Sequence, residues 1–148
     1  MNLQYANATK WANRSSTKID LTVRFSEISE DLPFTADPND TEAHGRDIYA
    51  RAVAGEFGEV APFDPVPPTT EQVSRSIKSQ RNALLVASDW TQLPDVPESI
   101  KAEWATYRQA LRDFPQQAGF PWYDSVVAET DYGFAIETAN SPWPVPPT

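Results

Sequence analysis

An α+β fold is predicted for this 148-residue chain by three features of its sequence. Residues Ile19–Phe25 alternate apolar and polar side chains with period two, the mark of a half-buried strand. Two long stretches after residue 69 carry apolar residues at helical spacing. Fourteen prolines against five glycines, gathered in clusters, divide the chain into ordered pieces joined by stiff extended segments. The expected architecture is a small N-terminal β-hairpin plus helix unit over residues 1–60, a Pro-rich linker at 61–68 and an antiparallel helical hairpin at 69–121. An acidic extension at 122–148 follows, with two short strands and an extended Pro/Trp tail.

Taken in order, Ile19, Leu21, Val23 and Phe25 fall on one strand face, with Asp20, Thr22 and Arg24 on the other. The run Leu3–Trp11 is the economical partner across the polar stretch Asn13–Thr17, and a hairpin of this size needs a cover for its apolar face. The next helix supplies that cover. Asn39, Asp40, Thr41 and Glu42 are cap-type residues ahead of Ile48, Ala52 and Val53 at helical spacing, and Gly55 or Gly58 stops the helix. Pro62, Pro65, Pro67 and Pro68 then favour an extended connector.

Thr69 and Gln72 have the capping-box spacing and open a helix that runs to about Ser88, with Val73, Ile77, Leu84 and Leu85 on one face. Pro94 and Pro97 enforce a loop over residues 91–97. A second helix starts at Pro97 or Glu98, and its Ile100, Trp104, Tyr107 and Leu111 form a single stripe. Two striped helices on a short loop pack as an antiparallel hairpin. Beyond them, Ser125–Ala128 and Tyr132–Ile136 are expected as short strands, and Ser141–Pro147 as an extended tail around Trp143.

Composition excludes several kinds of chemistry. There is no cysteine, hence no disulfide, no thiolate nucleophile and no sulfur-based zinc site. The start carries no secretory pattern and no stretch approaches the ~20 apolar residues of a membrane span, so a cytoplasmic location is expected. The sequons at Asn7, Asn13 and Asn39 are then chance matches. Net charge is −9, which opposes binding to nucleic acid or anionic membranes. Residues 1–65 carry six basic and eleven acidic side chains, 66–121 six and six, and 122–148 none and four.

No catalytic or metal constellation emerges. His44 is the single histidine, set among Asp40, Glu42 and Asp47, and is expected on a solvated helix surface. Asp37, Asn39 and Asp40 mimic the opening of a calcium loop, but Glu42 stands where its glycine belongs and Ile48 where its bidentate glutamate belongs. Turn and cap chemistry explains these residues better. Phosphate-binding loops and hydrolase elbows are absent. The five tryptophans, at 11, 90, 104, 122 and 143, are the unusual feature, since tryptophan serves both small cores and interface anchors. On the helix stripe Trp104 is expected in the core; in its proline-stiffened tail Trp143 is expected as a docking element.

Arg81, the Leu84-Leu85 pair, Asp89-Trp90, the Pro94/Pro97 loop, Trp104, the run Tyr107-Arg108-Gln109-Ala110-Leu111-Arg112-Asp113 and Gly119-Phe120-Pro121 follow one another in a specific pattern. Over residues 81–121 that pattern closely resembles the C-terminal module of phage tail assembly chaperones, also described as tail fibre assembly proteins. Pro33–Ala36 and Gly55–Gly58 look, more weakly, like front domains attached to that module in prophage proteins. The resemblance implies a protein without enzymatic activity or cofactor that binds a tail or tail fibre polypeptide and assists its folding, trimerisation or attachment. It acts in the host cytoplasm during assembly, with the virion tail as a second possible location; its oligomeric state is left open.

Within the motif, Asp89 is expected to accept hydrogen bonds from Arg108 or Arg112 across the hairpin. Leu84, Leu85, Trp104, Tyr107 and Leu111 are expected to form its core, and Trp90, Phe120, Pro121 and Trp143 the exposed partner-binding surface. The sequence departs from the family pattern at Tyr123–Ser141, which intervenes before Pro142-Trp143-Pro144. That segment raises an alternative of another class: a permanent structural subunit, an adaptor linking or decorating tail fibre and baseplate.

Overall fold

The computed structural model describes residues 2–148, and its backbone contacts divide the chain into two compact units. The first holds the residues up to Val66 together with Thr130–Gly133; the second holds Pro67–Glu129 and Phe134–Thr148. The fold is α+β.

In the first unit, β1 (Leu3–Trp11), β2 (Ile19–Phe25) and β3 (Leu32–Ala36) form an antiparallel sheet in the order β1-β2-β3. The period-two pattern of β2 does what its side chains require: Ile19, Leu21, Val23 and Phe25 are all buried, and α1 (Ala43–Val53) covers them with Ile48 and Ala52. The sheet has three strands where the sequence predicts two. Leu32–Ala36 pairs along β2, Leu21 opposite Phe34 and Ile19 opposite Ala36, with Pro33 tolerated because β3 is an edge strand. On the other edge, the chain at 57–61 pairs with β1: Ala8 and Trp11 donate to the carbonyls of Phe57 and Ala61.

The cap-type residues before α1 act mainly in turns. Asp37 Oδ1 accepts from the Asn39 N–H at 2.8 Å and Asp40 Oδ1 from the Glu42 N–H at 2.9 Å, while Glu42 at the N-cap makes no side-chain cap bond. His44 is not a solvated residue. It is half-buried, with its ring edge-on to Phe25 at 5.8 Å and tilted against Phe34 at 6.4 Å.

The β1–β2 connection is organised by Asn13, which is fully buried and therefore no glycan acceptor. Its Oδ1 accepts from the N–H groups of Thr17 and Lys18, and its Nδ2 lies 2.8 Å from Asp131 Oδ2. Asp131 Oδ1 accepts in turn from the Ser15 N–H at 2.8 Å. That backbone hydrogen bond, helped by the Asn13 and Ser15 side chains and the Arg14 charge and opposed by desolvation, holds the Asp131 carboxyl below its ordinary range. A folded-state value below the unfolded one means a stabilisation that is complete at neutral pH and disappears as the pH falls through the folded value. Asp131→Asn should therefore destabilise this unit at pH 7, and the gap from wild type should shrink below about pH 4 in a series of denaturant melts. A gap that does not change with pH would contradict this assignment.

The second unit begins with α2 (Thr70–Ala87), opened by the expected capping box. Thr69 Oγ1 accepts from the Gln72 N–H at 3.2 Å, and the Thr69 N–H donates to Gln72 Oε1 at 2.7 Å. A 3₁₀ turn at Asp89–Gln92 and the proline loop lead into α3 (Glu98–Asp113). The helices run antiparallel: α2 meets Arg108 at its C-terminal end and Phe114, just past α3, near its N-terminal end. A single turn α4 (Tyr123–Val126) and the strand pair β4 (Val127–Thr130) and β5 (Gly133–Ile136) complete the regular structure.

The core of this unit is not the helix stripe alone. Val73 and Ile77 of α2, Phe114 and Val126 are fully buried, with Phe120, Trp122, Val127, Ile136 and Trp143 packed against them. Two helices of this length have too little apolar face to close a core by themselves, so the residues after 119 fold back and complete it. The turn that starts this return needs glycine. Gly119 has φ +84°, and a Cβ there would sit 3.2 Å from the Trp122 ring.

Candidate functional site: an aromatic surface at the helix turn

Arg108 fixes the α2–α3 turn. Its side chain is nine-tenths buried, and its guanidinium donates to the Leu85 carbonyl, to Ser88 Oγ and to Asp89 Oδ1, each at 2.7 Å. The Leu85 carbonyl and Ser88 Oγ already bond each other at the end of α2, and the guanidinium adds a charged donor to both, tying that helix end to α3. Asp89, well exposed, supplies the counter-charge. Of the two arginines expected to reach Asp89, Arg108 does so; Arg112 is exposed in the last turn of α3.

Near this clamp in sequence, several apolar side chains are open to solvent. Trp90 and Leu93 are each 51% exposed and Val86 69%. The Trp90 ring meets half-buried Trp104 at 5.7 Å, and Trp104 meets Tyr107 edge-on at 5.6 Å, so the rings form one continuous row. Burial pushes the Tyr107 phenol above its ordinary range. Single exposed apolar residues are ordinary, but a contiguous aromatic row on a braced turn is a candidate interaction surface. The sequence around it is acidic, with Asp89, Asp95, Glu98 and Glu103 between residues 89 and 104, and the one lysine of that stretch, Lys101, is bonded to Glu98.

The predicted site residues therefore separate. Trp90 sits on the exposed surface. Phe120 is half-buried, Pro121 is buried, and both belong to the fold-back of the chain. Trp143 is half-buried, not an exposed docking element: its ring stacks on Phe114 at 4.4 Å and 19°, and its indole N–H donates to the Thr138 carbonyl at 2.7 Å. The motif core divides too. Tyr107 and Leu111 are buried, whereas Leu84, Leu85 and Trp104 are half-buried, because the densest packing lies towards Phe114. Sequence reasoning missed Leu93 and Val86 as surface residues; a leucine one step before Pro94 carried no periodic signal to find it by.

Among the described residues no group of three acidic or histidine side chains is placed to hold a metal ion, and no helix is long and apolar enough to cross a membrane.

Comparison with known families fits this arrangement. A family model described as phage tail assembly chaperone protein matches residues 74–148, half of the chain. The chain belongs to the phage tail assembly chaperone family. The match takes in the Arg108 clamp and the aromatic row, and it extends through Tyr123–Ser141 to the end of the sequence. No curated protein and no solved structure matches the chain.

Proposed function

We propose that this protein is a tail assembly chaperone that binds a tail or tail fibre polypeptide in the host cytoplasm and keeps it assembly-competent, without catalysis. The observation that carries the reading is the row of Trp90, Trp104 and Tyr107, exposed at one end and held by a buried arginine. Trimeric fibres assemble through slow, non-local β pairing that exposes strand edges and apolar faces, and a helper covering such surfaces suppresses their aggregation. A rigid aromatic anchor suits this task, since it gives much contact area at little entropic cost. The acidic surroundings favour a client with basic patches and keep the helper off nucleic acid.

Trp90→Ala is expected to weaken binding to the tail fibre polypeptide of the same phage by about 2 kcal/mol, roughly 30-fold, in a titration with the purified partner. Its stability cost should stay under about 1.5 kcal/mol, the value of one aromatic contact on a half-exposed ring. Unaltered affinity would remove Trp90 as the anchor. The alternative, a permanent virion subunit, drew its support from Tyr123–Ser141 as an appended segment. Val126, Val127 and Ile136 of that segment are instead part of the core, which leaves the alternative without an observation of its own. Quantitative mass spectrometry of purified particles separates the two: a chaperone is absent or substoichiometric, an adaptor present in fixed ratio.

A further inference from the structure

The proline tail after Trp143 does not leave the second unit. With Trp143 stacked on Phe114, the segment Pro144–Thr148 runs beside one face of α3 and leaves a groove of about 580 Å³ between them. Glu103, Thr106, Tyr107 and Ala110 line the helix side, and Pro144, Val145, Pro147 and Thr148 the tail side. This volume is in the usual range of ligand sites, about 300–1,000 Å³. Tyr107 also closes the aromatic row, so the groove and the row on which the proposed function rests share one residue.

The chemistry of its walls selects an occupant. Proline has no N–H, so of the lining tail residues Pro144, Val145, Pro147 and Thr148 all carry a backbone carbonyl acceptor, but only Val145 and Thr148 carry an N–H donor. Glu103 is the one charged side chain lining the groove, and residues 122–148 contain no lysine or arginine. A tail with more acceptors than donors beside a carboxylate is complemented by donors and positive charge. A helix has used its N–H groups internally, whereas an extended backbone still offers them.

We propose that this groove seats an extended, apolar client segment that carries a lysine or arginine beside Glu103. The inference rests on the chaperone reading but places a second contact next to the tryptophan surface.

The test uses the full chain and two fluorescently labelled peptides with the same valines, one bearing lysines and the other glutamates. The lysine peptide should bind at least about tenfold more tightly, and its affinity should fall as salt rises. Glu103→Lys, on the exposed rim, should cost about tenfold, and Ala110→Trp, which fills the groove, should cost as much or more; Glu71→Lys, the same charge reversal at the start of α2 and outside the groove, should leave peptide binding within about twofold. Circular dichroism checks that each variant is folded. Equal binding of the two peptides, no binding of either, or indifference to both Glu103→Lys and Ala110→Trp would overturn the groove. Loss on Glu71→Lys alone would also overturn it, while leaving the chaperone reading in place. Groove binding that persists when the chain gives no protection to a tail fibre polypeptide would instead count against the chaperone reading and uphold the groove.

Discussion

Phe114→Ala should destabilise the helical unit by about 4 kcal/mol, the largest effect of any single substitution expected here. Phe114 is fully buried at the point where everything in that unit meets. Val73 and Ile77 reach it from α2, Trp122 lies 4.7 Å away by ring centroid, and Trp143 stacks on it at 4.4 Å. Truncation leaves a cavity that two tryptophans, each held by other contacts, cannot collapse to fill. Trp143→Ala should cost about 3 kcal/mol through lost packing and the bond to the Thr138 carbonyl. The double variant should cost less than the sum, with a coupling of about 1 kcal/mol, because the two rings share one contact. Denaturant melts followed by the helical signal measure all three. Strict additivity, or a Trp143→Ala variant as stable as wild type, would return Trp143 to the role of a loose docking residue.

The second large effect is at Arg108. Arg108→Met should cost about 3 kcal/mol, since it keeps the apolar stem but strips hydrogen bonds from the buried Ser88 hydroxyl and from the Leu85 carbonyl at the end of α2. Asp89→Asn should cost less, about 1 kcal/mol, because Asp89 is well exposed and its pairing energy is screened by water. This ordering is the informative result. A larger cost for Asp89→Asn would mean that the ion pair, rather than the closure of the helix end, holds the turn. Arg108→Lys should recover little, since one ammonium cannot span three acceptors spread over Leu85, Ser88 and Asp89.

Much of this architecture is legible in the residues themselves. Strand β2 announces itself by strict alternation, α2 by its capping box, and the α2–α3 loop by Pro94 and Pro97, because each rests on local stereochemistry that tertiary packing had no reason to override. The pairing of Asp89 with an arginine of α3 is likewise readable, though not which of the two. What escaped is non-local. Strand β3 hides behind Pro33, whose missing N–H matters little on a sheet edge. Trp143 reads as a docking residue because its neighbours are prolines; a stiff extended segment is as good a way to carry an indole back into a core as to hold it out. His44 reads as solvated because only the fold brings Phe25 and Phe34 to it.

The account turns on the row of rings, exposed at Trp90, as a client surface. Its most direct measurement is refolding of the denatured tail fibre polypeptide of the same phage, followed by light scattering, alone, with the wild-type chain, and with a Trp90→Ala/Leu93→Ala variant that keeps its fold. Wild type is predicted to suppress scattering and raise the yield of native trimer, and the variant to behave as if nothing had been added. Equal protection by the two forms, or none by either, would contradict it.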